Sequence, residues 1–180
     1  MCDTEVYTVR VDSVNTTVSN VDFVSYINIP LRNVVKAELI SASIYGNLLD
    51  THAIYVYIDE LVSKFNDLAS LQFNMSTSGA ISLQGGLTTP ILNLQYLKSA
   101  VAAIPTYDAN PGSRTIYTAS GSGFPTDVAF VEPIRQLKTL TVKLFKADGV
   151  LLVDQAFPNF LTFRFTCAKP NVCQYGGQIV

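Results

Sequence analysis

Apolar and polar positions alternate with a period of two through most of the chain. This spacing predicts strands, because successive side chains of a strand point to opposite faces of a sheet. In EVYTVRVD, Tyr7, Val9 and Val11 share one face and Thr8 and Arg10 the other; in DFVSYINI, Phe23, Ile27 and Ile29 share a face that Ser25 interrupts. RNVVKAELISASIYG begins with Val35, Ala37 and Leu39 on the apolar side and then changes phase to Ile40, Ala42 and Ile44, which predicts a bulge or bend near Leu39. AIYVYIDEL sets Ile54, Val56 and Ile58 against Tyr55, Tyr57 and Asp59. Leu61, Phe65 and Leu68 then recur at spacings of four and three, the period of a short helix.

The second half repeats the theme. In QLKTLTVKLFKADGVLLVDQ, Leu140, Val142 and Leu144 alternate with Thr139, Thr141 and Lys143, and Asp148–Gly149 predicts a two-residue hairpin turn with positive φ at Gly149. NFLTFRFTC places Leu161, Phe163, Phe165 and Cys167 on one face and Thr162, Arg164 and Thr166 on the other. The turn-rich middle holds at most short strands around Ile81–Leu83 and Thr115–Tyr117. NLQYLKSAVAAI reads either as a helix with Tyr96, Leu97, Ala100, Val101 and Ile104 inward, or as two strands. Such a series of half-buried strands, separated by turns and long loops, predicts an all-β fold. The expectation is a single jelly-roll sandwich of about eight antiparallel strands with a short helix, one domain spanning residues 1–180. A parallel sheet buried on both faces would not alternate in this way.

Composition narrows the functional classes. Hydrophobic residues make up 48% of the chain, yet no run approaches the ~20 apolar residues of a membrane-spanning helix. Charged residues are 14% against ~25% in an average soluble domain, so Ser, Thr, Asn and Gln cover much of the surface, and such a surface suits burial against neighbours. A net charge of −2 without a Lys/Arg cluster argues against direct nucleic-acid binding. The N-terminal MCDTEVYTVRV has no basic region followed by an apolar one, so synthesis in a cytosol is expected.

Candidate chemistry is sparse. Cys2, Cys167 and Cys173 form no CxxC, and His52 is the sole histidine, so zinc-ligand spacing is missing; Cys167 is expected to be a buried small hydrophobe. His52 with Asp50 lacks a serine in a GxSxG setting, and LQGGLTTP and SGSG have neither P-loop nor dinucleotide spacing. Asn15 and Asn74 head glycosylation sequons, which stay idle without secretion. Asp59–Glu60 sits where strand period gives way to helical period. There carboxylates favour the first turn of a helix, a contribution of no more than about 1 kcal/mol, and consecutive strand side chains do not converge on a substrate. No catalytic, cofactor or metal residue is therefore assigned. Tyr55 and Tyr57, on the non-core face of their strand, suit an interface or a sugar-stacking surface unless the chain's own second layer covers them.

Several of these blocks, in order, resemble one family. IPLRNVVKAELISASIYGN, IYVYIDEL, VEPIRQLKTLTVKLFKADGVLLV and NFLTFRFTC are similar to single jelly-roll capsid proteins of double-stranded DNA viruses, particularly the penton proteins of nucleocytoplasmic large DNA viruses, polinton-like viruses and virophages. EPIRQLKTLTVKLFKADG is the most specific block. The resemblance implies a non-enzymatic virion protein, made in the host cytoplasm, that forms a homopentamer at icosahedral vertices and meets neighbouring major capsid proteins. The alternatives are a minor or cement capsid protein of the same fold, or a carbohydrate-binding jelly roll using Tyr55, Tyr57, Tyr107, Tyr117 or Phe124.

Overall fold

Two strands of unusual length organise the molecule. The computed structural model describes residues 3–14, 16, 19–45, 53–62, 73–75, 81–83, 100–106, 114–119, 127–146, 149–153 and 157–169. The strands are β1 (Thr4–Asp12), β2 (Asp22–Tyr45), β3 (Ala53–Ile58), β4 (Phe73–Met75), β5 (Ile81–Leu83), β6 (Ala102–Pro105), β7 (Arg114–Thr118), β8 (Asp127–Lys146) and β9 (Phe160–Ala168). Seven of them form one antiparallel sheet in the order β1-β9-β2-β8-β3-β6, with β7 also on β2, while β4 and β5 pair with each other. The sheet curls into a sandwich-like, jelly-roll-like form, so the all-β expectation holds. The two layers are continuous because β2 (24 residues) and β8 (20 residues) run through both.

The bend in these strands is written in their register. Between the pairs Tyr26↔Thr139 and Leu31↔Leu137, residues 27–30 of β2 face one residue of β8; between Val34↔Ile134 and Lys36↔Ala129, residues 130–133 of β8 face one residue of β2. Pro30 and Pro133 fall inside these two insertions, where a missing N–H removes no ladder hydrogen bond. Asn33, between them, has a φ of 51°, a left-handed conformation that asparagine tolerates better than most residues. A third shift, between Leu39 and Ser41 in the pairing with β9, is the bulge expected near Leu39. It brings Ala37, Leu39, Ala42 and Ile44 all to the buried side and leaves Ile40 half-buried.

Most inward positions are as the alternation predicts. Leu161, Phe163, Phe165 and Cys167 of β9, Leu140, Val142 and Leu144 of β8, and Ile54, Val56 and Ile58 of β3 are buried in one apolar core. The exceptions lie at edges and insertions. Tyr7 is 40% exposed and Ile29 76% exposed, because β1 is an edge strand and Ile29 belongs to the 27–30 insertion, where the period of two is broken. Val34, not Val35, is the buried member of its pair, since the next insertion resets the phase.

Other expectations fare differently. Residues 102–105 are a strand, so the helical reading of NLQYLKSAVAAI fails there; its inward Val101 and Ile104 are buried, while Tyr96 and Leu97 lie outside the described residues. The helical period after β3 amounts, among the described residues, to one 3-10 turn, Asp59–Leu61, whose Leu61 is buried; Phe65 and Leu68 lie outside them. The hairpin after β8 exists, and Gly149 has a φ of 77° as expected. However, the Lys146 amide donates to the Val150 carbonyl at 2.8 Å and the Gly149 amide to the Lys146 carbonyl at 3.0 Å. The loop therefore has three residues and not two, with glycine at the left-handed position that such loops require. Asp148 itself is not among the described residues.

Candidate interaction surfaces

The adjacent carboxylates of Asp59 and Glu60 are both occupied. Leaving β3, the 3-10 turn swings them over the neighbouring strand β8. Thr139 Oγ1 and Thr141 Oγ1 donate to Glu60 Oε1 at 3.1 and 2.8 Å, and the Thr141 amide donates to Glu60 Oε2 at 2.8 Å. Asp59 holds Lys143 Nζ at 2.9 Å, and this hydrogen bond raises the Lys143 ammonium above its ordinary pKa, against a smaller opposing effect of burial. A single turn has too few aligned peptides for a dipole contribution, so the expected cause and size are both corrected: Glu60 clamps the turn to β8 with charge-assisted hydrogen bonds. Glu60→Gln is expected to cost about 1.5–3 kcal/mol, whereas Asp59→Asn, which breaks a solvent-exposed pair, costs less than about 1 kcal/mol. Urea titration of the two single variants checks this, and equal costs would contradict the clamp.

Two tyrosines of the carbohydrate reading lie in the interior. Tyr117 and Tyr57 are buried, the latter edge-on to Phe145 with ring centres 6.0 Å apart, and Tyr55 and Val62 pack against that pair. Tyr107 and Phe124 lie outside the described residues, as do His52, Asp50, Asn15, Cys2, Cys173 and the two glycine-rich segments. Asn74 lies in β4. Cys167 is buried and free, and burial pushes its thiol pKa up. Among the described residues, no group of three His, Cys, Asp or Glu side chains is placed to hold a metal, and no helix is long and apolar enough to cross a membrane.

Exposed apolar side chains gather instead around Arg114. Register places Ile116 of β7 beside Ser43 of β2, and Ser43 beside Phe160 of β9, in one row across the sheet. Ile116 is 76% exposed, Phe157 52% and Phe160 42%. The Arg114 guanidinium lies 5.8 Å from the Tyr45 ring centre and 5.5 Å from that of Phe160, and Tyr45 packs on Phe157 at 4.6 Å. Arg114 Nη2 donates to the Pro158 carbonyl at 3.0 Å and Nη1 to Ser43 Oγ at 3.3 Å, so that among the described residues the guanidinium is fixed without a carboxylate. Arginine among solvent-facing aromatic rings is the composition enriched at protein interfaces and at their most sensitive positions. This surface is not among the sequence expectations, although RTIYT carries a signal: Ile116 and Tyr117 are adjacent in a strand, so one must face outward. Phe160 likewise falls on the polar face of β9.

A second surface is the open side of the sandwich. β1 pairs only with β9, and residues 22–33 of β2 pair only with β8, among the described residues. Between these two strand edges runs a cleft of about 290 Å³ lined by Tyr7–Arg10 and by Tyr26–Ile29 with Leu31. A second hollow of about 190 Å³ continues it past Tyr7, Ile29 and Leu31 to Glu5, Arg32, Cys167 and Ala168.

In comparison with known proteins, no family model and no curated protein sequence matches this chain.

Proposed function

We propose that the chain is a structural subunit of a viral capsid: a penton protein that assembles as a homopentamer at the icosahedral vertices and meets neighbouring major capsid proteins there. The observation that carries the reading is the Arg114 surface, where Ile116, Phe157 and Phe160 stand in solvent around an immobilised guanidinium on a chain with few charges. Leaving these groups in water is unfavourable, and burying them against another subunit removes that cost. The jelly-roll-like fold and the resemblance of EPIRQLKTLTVKLFKADG to penton proteins support the same reading. Fold alone would not assign a function. The carbohydrate-binding alternative loses Tyr57 and Tyr117 to the interior.

Native mass spectrometry of the purified chain is expected to give a species of five times 19.6 kDa. Ile116→Asp places a charge at the centre of the surface and is expected to release single folded chains, with the far-ultraviolet circular dichroism unchanged. A chain that stays monomeric up to its solubility limit, and is missing from purified particles, overturns the proposal.

A further inference from the structure

A ring of five cannot be built from one self-complementary patch. Each subunit presents one surface to the neighbour on one side and a different surface to the neighbour on the other, and the two must fit each other. With the Arg114 surface as one half of such a contact, its counterpart lies elsewhere on the same chain.

The Arg114 surface sets the chemistry of that counterpart. At its centre is a guanidinium that donates to the Pro158 carbonyl and to Ser43 and faces no carboxylate among the described residues. Around it Ile116, Phe157 and Phe160 stand in solvent. A matching surface therefore carries a carboxylate set among apolar neighbours. Most described carboxylates are already engaged. Glu5, Glu38, Asp59 and Asp127 each face a lysine or an arginine, Glu60 is held by Thr139 and Thr141, and Asp12 accepts the Val14 amide. Among the described residues, only Glu132 combines a carboxylate without such a partner with exposed nonpolar residues on both sides, Val131 at 65% and Pro133.

The two surfaces are also placed for a head-to-tail contact. Glu132 belongs to the 130–133 insertion, which faces β2 between Val34 and Lys36 and has no partner in that ladder, so its exposed residues stand clear of the strand pairing. Arg114 is paired with Tyr45, at the far end of β2. From Lys36 to Tyr45 is about 30 Å along the strand, so one subunit can use both surfaces at once, one toward each neighbour.

We propose that the 130–133 insertion of one subunit docks on the Arg114 surface of a second copy, with the Glu132 carboxylate accepting from the Arg114 guanidinium and Val131 and Pro133 covering Ile116 and Phe160. The apolar side chains around the pair exclude water from it, which makes the ion pair stronger than one in solvent. The contact rests on the capsid reading, because it supplies the second half of the interface assigned there.

Disulfide trapping and assembly measurements on the full chain test it. Single variants I116C and V131C, mixed as monomers and oxidised, are expected to give a covalent dimer with one chain of each, identified by mass. The double variant I116C/V131C is expected to give a ladder that ends at five linked chains. The unmodified chain, oxidised alongside, accounts for any link through its own cysteines. E132Q and E132R alter an exposed residue, and each is expected to raise the concentration at which half of the chains are in rings by about tenfold or more, with unchanged circular dichroism. Rings that form normally in E132R, or rings of the unmodified chain whose I116C and V131C variants do not cross-link, overturn this contact and leave the capsid reading in place. An I116C variant that links to itself and not to V131C assigns a two-fold contact and overturns it as well. A chain that stays monomeric at all concentrations overturns both.

Discussion

Phe163→Ala is expected to destabilise the protein by about 3–5 kcal/mol, the range for truncating a fully buried phenylalanine. Phe163 has no exposed surface and lies at the middle of β9, opposite Val9 of β1 and Leu39 of β2. Its ring centre is 6.1 Å from that of Phe165, the next inward residue of the same strand. The truncation therefore opens a cavity where three strands meet. The Leu39 side is held by the bulge that sets the phase of β2, so collapse into the cavity is restricted. Phe163→Leu keeps most of the volume and is expected to cost less than about 1.5 kcal/mol. Urea titration should show both losses as a lower midpoint with an unchanged slope. A loss below 1 kcal/mol for the alanine variant would mean that β9 is not the central strand of its layer.

The difference between what was legible in the sequence and what was not has a physical pattern. Strands with regular pairing on both sides, β9 above all, alternate without interruption, so Leu161, Phe163, Phe165 and Cys167 were readable as core. The phase change near Leu39 was equally visible, because a bulge moves every later side chain to the other face. The insertions at 27–30 and 130–133 were not, since a stretch without a pairing partner has no period to read, and Ile29 was placed inward although it stands in solvent. That β2 and β8 each continue past these insertions was hidden for the same reason: the alternation breaks around Pro30 and Pro133, inside strands that run on beyond them. At the Asp59–Glu60 corner the turn was foreseen but not its fastening, because Thr139 and Thr141 lie about eighty positions away in the chain. The Arg114 surface depends likewise on β2, β7 and β9 lying side by side, which only long-range register reveals.

Asn159 is the clearest residue that pattern reading passes over, and its replacement is expected to be nearly as damaging as that of Phe163. It is wholly buried, and both ends of its side-chain amide are engaged: Oδ1 accepts from the Tyr45 amide at 2.8 Å and Nδ2 donates to the Asn20 carbonyl at 2.8 Å. Its backbone amide donates to Ser13 Oγ at 2.8 Å, and Ser13 Oγ donates in turn to Asn20 Oδ1 at 2.7 Å. One side chain thus ties the end of β2 to the connection between β1 and β2, beside the Arg114 surface. Asn159→Ala leaves a half-buried donor and a half-buried acceptor without these partners, each costing about 1–2 kcal/mol, toward the lower end of the range because water can partly reach them, so the expected loss is about 2–4 kcal/mol. Asn159→Asp separates the two contacts. Its carboxylate can still accept from Tyr45 but meets the Asn20 carbonyl with an oxygen, whereas the protonated acid can donate there. The folded state then holds the proton more tightly than the unfolded chain, so the folded pKa of the introduced acid lies above its unfolded value. Relative to the parent, the aspartate variant should therefore gain stability as pH falls through that raised pKa, the gain being complete below the unfolded carboxylate value, about 4. The alanine variant should show no such relative gain. Parallel pH dependence of both variants and the parent would mean that the Asn20 contact contributes little and that Asn159 acts through packing alone.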